Sequence, residues 1–217
     1  MHSQAHDVSA PSLLETLRTG TGLLHVALEQ RLPFFSERLD AQWYRRLLQA
    51  YYGFYQPMEA ALYDSGLIPD GYESALRVKT PTLVHDLHAL GLTEHAIHDL
   101  PRCTQLPVLD TPAACLGALY VLEGATLGGQ VLRREIALRL DVNADNGGAF
   151  LNVYGAETGR RWKDFLDYLG RQPLDTDAAV RAVMAARSPF RGFEPWLARQ
   201  QVLLSKPKIL KRSLSNA

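Results

Sequence analysis

Three glycines fall within six residues, Gly124-Ala125-Thr126-Leu127-Gly128-Gly129, inside a stretch whose flanks are strong helix formers. Tyr120-Val121-Leu122-Glu123 precedes them and Gln130-Val131-Leu132-Arg133-Arg134 follows, so the pattern continues through the glycines. Each glycine in a helix interior costs about 0.8–1 kcal/mol relative to alanine, which puts roughly 2–3 kcal/mol of local penalty here. Two readings account for a helix that tolerates this. Gly124 and Gly128, one turn apart, make a smooth face on which a neighbouring helix can pack. Alternatively, the bare backbone lies against a flat ligand, and the glycines permit a kink.

The rest of the chain reads as helices too. Leu14, Leu17, Thr21, Leu24 and Leu28 form an amphipathic stripe that closes before Pro33. Trp43, Leu47, Tyr51, Tyr55, Met58 and Leu62 form a second behind Asp40 as N-cap, with Pro57 expected to kink or split it. Thr80-Pro81 opens a third, carrying Leu83, Leu87 and Leu90 up to Gly91. The glycine-bearing helix starts at Thr111-Pro112 and reaches Leu140. Residues 141–148 form a turn-rich loop, and helices resume over 157–169, over 176–187 and around 196–204. β-Branched alternation is missing throughout, so the expected fold is all-α, a single-domain bundle of seven or eight helices. Its expected extent is 13–204, between a flexible segment 1–12 and a basic tail 205–217.

Charge excludes one class of function. Lys+Arg and Asp+Glu number 23 each, whereas a protein devoted to nucleic-acid backbone needs a basic excess. That balance is unevenly placed: from Pro195 onward the chain holds five cations and no acidic residue, a tail read most simply as a solvated, mobile end. Cys103 and Cys115 show neither CxxC spacing nor a disulfide framework, which points to a reducing cytoplasm. No signal peptide pattern is present, and the longest apolar run, from Pro112, stops at Glu123, so no membrane span is expected.

His25 lies at the edge of the first stripe, with Glu29 one turn later. Such a histidine is either a satisfied structural residue or a metal ligand. In the second case Glu29 would hold Nδ1 and turn Nε2 to the metal.

Leu122-Glu123-Gly124-Ala125-Thr126-Leu127-Gly128-Gly129-Gln130-Val131-Leu132 resembles the kinked distal-helix signature of heme oxygenases, where GxxxGG is followed by QVL and the axial histidine lies far upstream. Arg18…His25…Glu29 resembles the proximal helix of that family, with a basic residue seven positions before the histidine. The resemblance runs from about Leu13 to Leu204 and is strongest to the bacterial enzymes that accompany bacteriophytochromes.

The resemblance implies that His25 is the proximal iron ligand of heme b. Gly124, Gly128 and Gly129 would bring distal backbone close to the macrocycle and select which meso position is opened. Heme would be cofactor and substrate, O2 the co-substrate, and the products biliverdin, CO and Fe2+, with electrons from a ferredoxin-, flavodoxin- or reductase-like donor. Apo-bacteriophytochrome would be a partner for the bilin. Arg18, Tyr120 and the cluster Arg160, Arg161 and Lys163 would hold the propionates, and Phe190 and Phe193 would line the pocket. Two positions depart from the pattern. Ala125 stands where mammalian members carry an aspartate that organises distal water, and Asp167 replaces a second expected basic residue.

Other constellations are weaker. His85, His88, His95 and His98 form two HxxH pairs, but Leu83, Leu87 and Leu90 define the buried side of their helix. Trp43, Tyr51, Tyr52, Phe54 and Tyr55 read as core. A non-catalytic heme carrier with the same fold is the alternative reading. A thiaminase-like hydrolase would need a nucleophilic cysteine among acidic partners, which neither cysteine offers.

Overall fold

The computed structural model describes residues 12–205, and among these it is built of helices joined by short connections, with no strand. The expected segments 1–12 and 205–217, including the basic tail, fall almost wholly outside the described residues. Among the described residues there are eight α-helices: α1 (Leu13–Glu29), α2 (Ala41–Asp64), α3 (Ser74–Arg77), α4 (Thr80–Ala89), α5 (Glu94–His98), α6 (Pro112–Leu140), α7 (Thr158–Gly170) and α8 (Thr176–Arg199).

The caps follow from local chemistry. Asp40 Oδ1 accepts from Trp43 N at 2.6 Å, and the Thr111 hydroxyl accepts from Ala114 N just before Pro112. Ser12 and Glu15 close a capping box on α1. Gly91, at φ +86°, ends the α4 region in the left-handed conformation that glycine adopts without strain.

Proline is tolerated more than its local rules suggest. Pro57 does not split α2, and α8 runs through Pro189 and Pro195 as one helix where two separate helices were expected. Tertiary packing supplies the reason. α8 lies between α1 and α6, and its Trp196 Nε1 donates to Ala50 O of α2 at 2.8 Å, so the helix is braced on both sides of its prolines. The short helices α3 and α5 carry too few apolar positions to leave a readable period.

α2 supplies the centre of the core, with Tyr44, Leu47, Leu48, Met58 and Leu62 fully buried. α6 and α8 pack most closely at Gly117, where an added Cβ would stand 1.9 Å from Ala182 O. α6 is long and apolar enough by composition to cross a bilayer, yet half of its most apolar window is buried within the bundle.

The 141–148 segment is a loop held in a fixed shape. Tyr44 donates to Gly147 O at 2.8 Å, and buried Asp86 accepts from Ala149 N and Phe150 N at 2.9 and 2.7 Å. Gln130, directly after the last glycine of the motif, reaches Asn152 Oδ1 at 2.9 Å and Thr158 Oγ1 at 3.2 Å. These contacts bring Phe150, Leu151 and Val153 to the wall of a cavity beside α6.

Candidate active site

The cavity encloses about 500 Å3, within the range of small-molecule and cofactor sites. α1 forms one wall with Arg18, Thr21, Gly22, His25, Val26 and Glu29. α6 forms another, from Tyr120 through the glycines to Leu132. Aromatic side chains from α2 and α8 close the interior: Tyr51, Phe54 and Tyr55, with Phe190 and Phe193. The expectation that these α2 aromatics are core therefore holds, and three of them also face the site.

His25 is half exposed, with Nδ1 3.4 Å from Glu29 Oε2 and its ring edge-on to Phe190 at 6.2 Å. A histidine that only filled space would be buried among apolar neighbours. This one lines open volume, with Nδ1 directed at the Glu29 carboxylate.

The glycines divide their work. Nothing lies within 4 Å of a Cβ built at Gly128, and one at Gly124 meets only the Trp162 ring at 3.6 Å. No other helix backbone packs on this pair; α7 touches Gly124 only through the Trp162 ring, and both glycines line the cavity. Gly129 departs from a purely catalytic reading: its Cβ would come 2.6 Å from Leu151 O, so it allows backbone-on-backbone packing beside the site. Gly128→Ala separates the two effects. The folded protein is expected to hold or gain stability, up to about 1 kcal/mol from helix propensity. Ligand affinity and turnover should fall, because the methyl enters the cavity. A thermal melt beside a hemin titration checks both.

Arg18 and Tyr120 lie together at the cavity wall. Burial pushes the Tyr120 phenol up, and the facing Arg18 and Thr21 oppose that rise. None of the α7 basic residues lines the cavity. Arg160 is exposed and paired with Glu157 and Asp164, the Arg161 guanidinium stands over the Tyr154 ring at 5.1 Å, and exposed Lys163 lies off the cavity wall. Trp162 turns inward instead, 5.7 Å from Tyr120 and stacked 5.7 Å from Phe165. The apolar stripe Trp162, Phe165, Leu169 sets that helix's rotation, which leaves 160, 163 and 164 to solvent. That stripe was readable in the sequence and outweighs the spacing of the basic residues.

Sequence reasoning missed a buried charged group behind the α6 wall. Glu123 accepts from Arg77 Nη1 at 2.7 Å, Lys79 Nζ at 2.7 Å and Tyr154 OH at 3.0 Å. The one signal was an acid ending the most apolar run of the chain. The histidines of α4 and α5 pair with Asp86, Glu94 and Asp99, and no group of three potential metal ligands occurs among the described residues.

Walls of this kind suit a large planar apolar ligand with acidic arms, one that offers a metal to the imidazole. A helical bundle built around them is a heme-binding fold. The heme oxygenase family profile matches residues 11–199. A heme oxygenase of Xanthomonas campestris pv. campestris (strain 8004) is 28% identical over 164 residues, covering 75% of this chain and 93% of that protein. Among solved structures, the heme oxygenase of Leptospira interrogans superposes with a TM-score of 0.72 at 20% identity, over 87% of this chain and 100% of that one. The NO- and CO-bound heme oxygenase of Neisseria meningitidis gives 0.70 at 21%, over 91% and 96%. Heme oxygenase-1 of Synechocystis sp. PCC 6803 in complex with heme gives 0.68 at 18%, over 88% and 95%. The chain belongs to the heme oxygenase family and is an enzyme of heme degradation.

Proposed function

We propose that this enzyme binds heme between α1 and α6 through His25 and converts it, with O2 and electrons from an external donor, to biliverdin, CO and Fe2+. One observation carries the reading. The half-exposed His25 imidazole, its Nδ1 directed at Glu29, lines the same cavity as the bare backbone of Gly124 and Gly128. Heme supplies the redox chemistry at its iron.

The protein's own residues supply orientation. Glu29 orients the imidazole, so that Nε2 is the coordinating nitrogen. Arg18 and Tyr120 would hold the propionates, by charge-assisted and neutral hydrogen bonds respectively, and so orient the macrocycle. Trp162 packs 5.7 Å from the Tyr120 ring on the α7 side of that end. Gly124 and Gly128 would leave space for a small co-substrate beside bound heme, and the aromatic walls would exclude bulk water. The donor is ferredoxin-, flavodoxin- or reductase-like, and the bilin is supplied to a bacteriophytochrome in the cytoplasm. These assignments rest on the resemblance of the glycine signature.

Hemin titration of the protein is expected to give a Soret band distinct from that of free hemin. Addition of reductant and O2 should then give a biliverdin band and release of CO. A stable ferric complex that yields no bilin would leave only heme carriage, and no Soret change would remove the heme site itself.

A further inference from the structure

Three of the tyrosines on α2 spend their hydroxyls on the protein. Tyr44 donates to Gly147 O, Tyr52 accepts from Arg102 Nη2 at 3.1 Å, and Tyr63 pairs with Tyr72. Tyr51 and Tyr55 do not: they are only 8% and 6% exposed, yet among the described residues neither phenol has a hydrogen-bond partner. No side-chain oxygen among the described residues is both sealed from solvent and unpartnered. Both hydroxyls therefore open onto free space, and the space that these two residues border is the cavity.

The surroundings of Tyr51 are the cavity wall itself. Its ring lies 5.3 Å from Phe193, 5.6 Å from Phe150 and 6.3 Å from Tyr55, and all three line the cavity. Phe150 precedes Leu151, whose carbonyl packs on Gly129, so Tyr51 meets the cavity on its α6 side. Burial pushes the Tyr51 phenol up and keeps it neutral, a donor and an acceptor at once. The other hydroxyls of the wall are committed. Thr21 Oγ1 donates to Leu17 O at 2.8 Å, Thr126 Oγ1 donates to Glu123 O at 2.7 Å, and Tyr120 faces Arg18 and Thr21. Ala125, beside the first distal glycine, offers no polar group of its own.

We propose that Tyr51 is a positioning residue of this enzyme, its hydroxyl holding water on the α6 side of bound heme and donating through it to a small ligand there. Ordered water inside a protein needs roughly two to four polar partners. Tyr51, with Tyr55 one turn further along α2, supplies two of them in a chamber otherwise walled largely by carbon and bare backbone. A ring placed only to fill space would serve equally well as phenylalanine. The oxygen of Tyr51 bonds to nothing in the protein, so its use lies in the cavity.

The inference rests on the heme reading above, and its test separates the two. Tyr51→Phe removes one oxygen and keeps the ring, so Tm is expected to hold or rise slightly. Azide is titrated into the ferric heme complex and followed by absorbance. Its affinity should fall by about tenfold in Tyr51→Phe, the loss of one hydrogen bond to an anionic ligand. Carbon monoxide accepts hydrogen bonds poorly, and its affinity for the ferrous complex should change by less than about twofold. Tyr52→Phe is the reverse control, because Arg102 holds that hydroxyl and Tyr52 does not line the cavity: Tm should fall and azide affinity should stay. Azide affinity unchanged in Tyr51→Phe, or an equal loss for carbon monoxide, overturns the proposal and leaves heme binding standing. A Tyr51→Phe chain that does not fold also overturns it, since the hydroxyl would then be structural. Absence of a Soret change in the wild-type chain would overturn both readings.

Discussion

Adding a single methyl at Gly117 is expected to destabilise the protein by about 3 kcal/mol, the upper end for overpacking a core. Gly117→Ala should therefore lower Tm by roughly 6–12 °C in a domain of this size. The new Cβ would stand 1.9 Å from Ala182 O and 3.0 Å from Ala186 N. Both are backbone atoms of α8, so no side-chain rotation relieves the contact, and the two helices must separate. The gain of about 1 kcal/mol in helix propensity does not offset that. α8 also carries Pro189, Phe190 and Phe193 to the cavity, so heme affinity should fall along with stability. Calorimetry beside a hemin titration checks both, and a Tm within about 2 °C of wild type would show that the helices are not in this contact.

His25→Ala has the opposite profile. The side chain is half exposed, so the apo-protein should keep its stability to within about 0.5 kcal/mol. Turnover should fall by more than the roughly 10–100-fold typical of losing a residue that merely supports a ligand. The ferric complex should lose its histidine-ligated spectrum. Because the position opens to solvent-accessible volume, added imidazole should restore much of that spectrum. A variant that keeps both spectrum and turnover would place the ligand elsewhere.

Much of the site was legible because it is local. The unusual glycine content of α6, the Arg18–His25–Glu29 spacing and the aromatic positions of α8 each lie within one helix, where periodicity and capping decide which residues share a face. The same logic, applied to α7, would have put Trp162 rather than Lys163 at the cavity. The Pro189 and Pro195 breaks failed for a different reason. A proline's local cost is known from sequence, but the bracing that makes it tolerable comes from α2, well over a hundred residues earlier.

The sequence alone determined most of the long helices, the caps at Asp40 and Thr111 and the place where one helix exposes its backbone, since these depend on neighbours three or four residues away. It could not tell a glycine that meets open space from one that meets another backbone: Gly128 and Gly129 are adjacent, yet one faces the cavity and the other packs on Leu151. Nor could it show that Arg77 and Lys79 turn inward onto Glu123. Burying two cations is favourable only when a carboxylate and hydrogen-bond acceptors converge on them. That convergence exists only after α3, α6 and the segment carrying Tyr154 have been brought together.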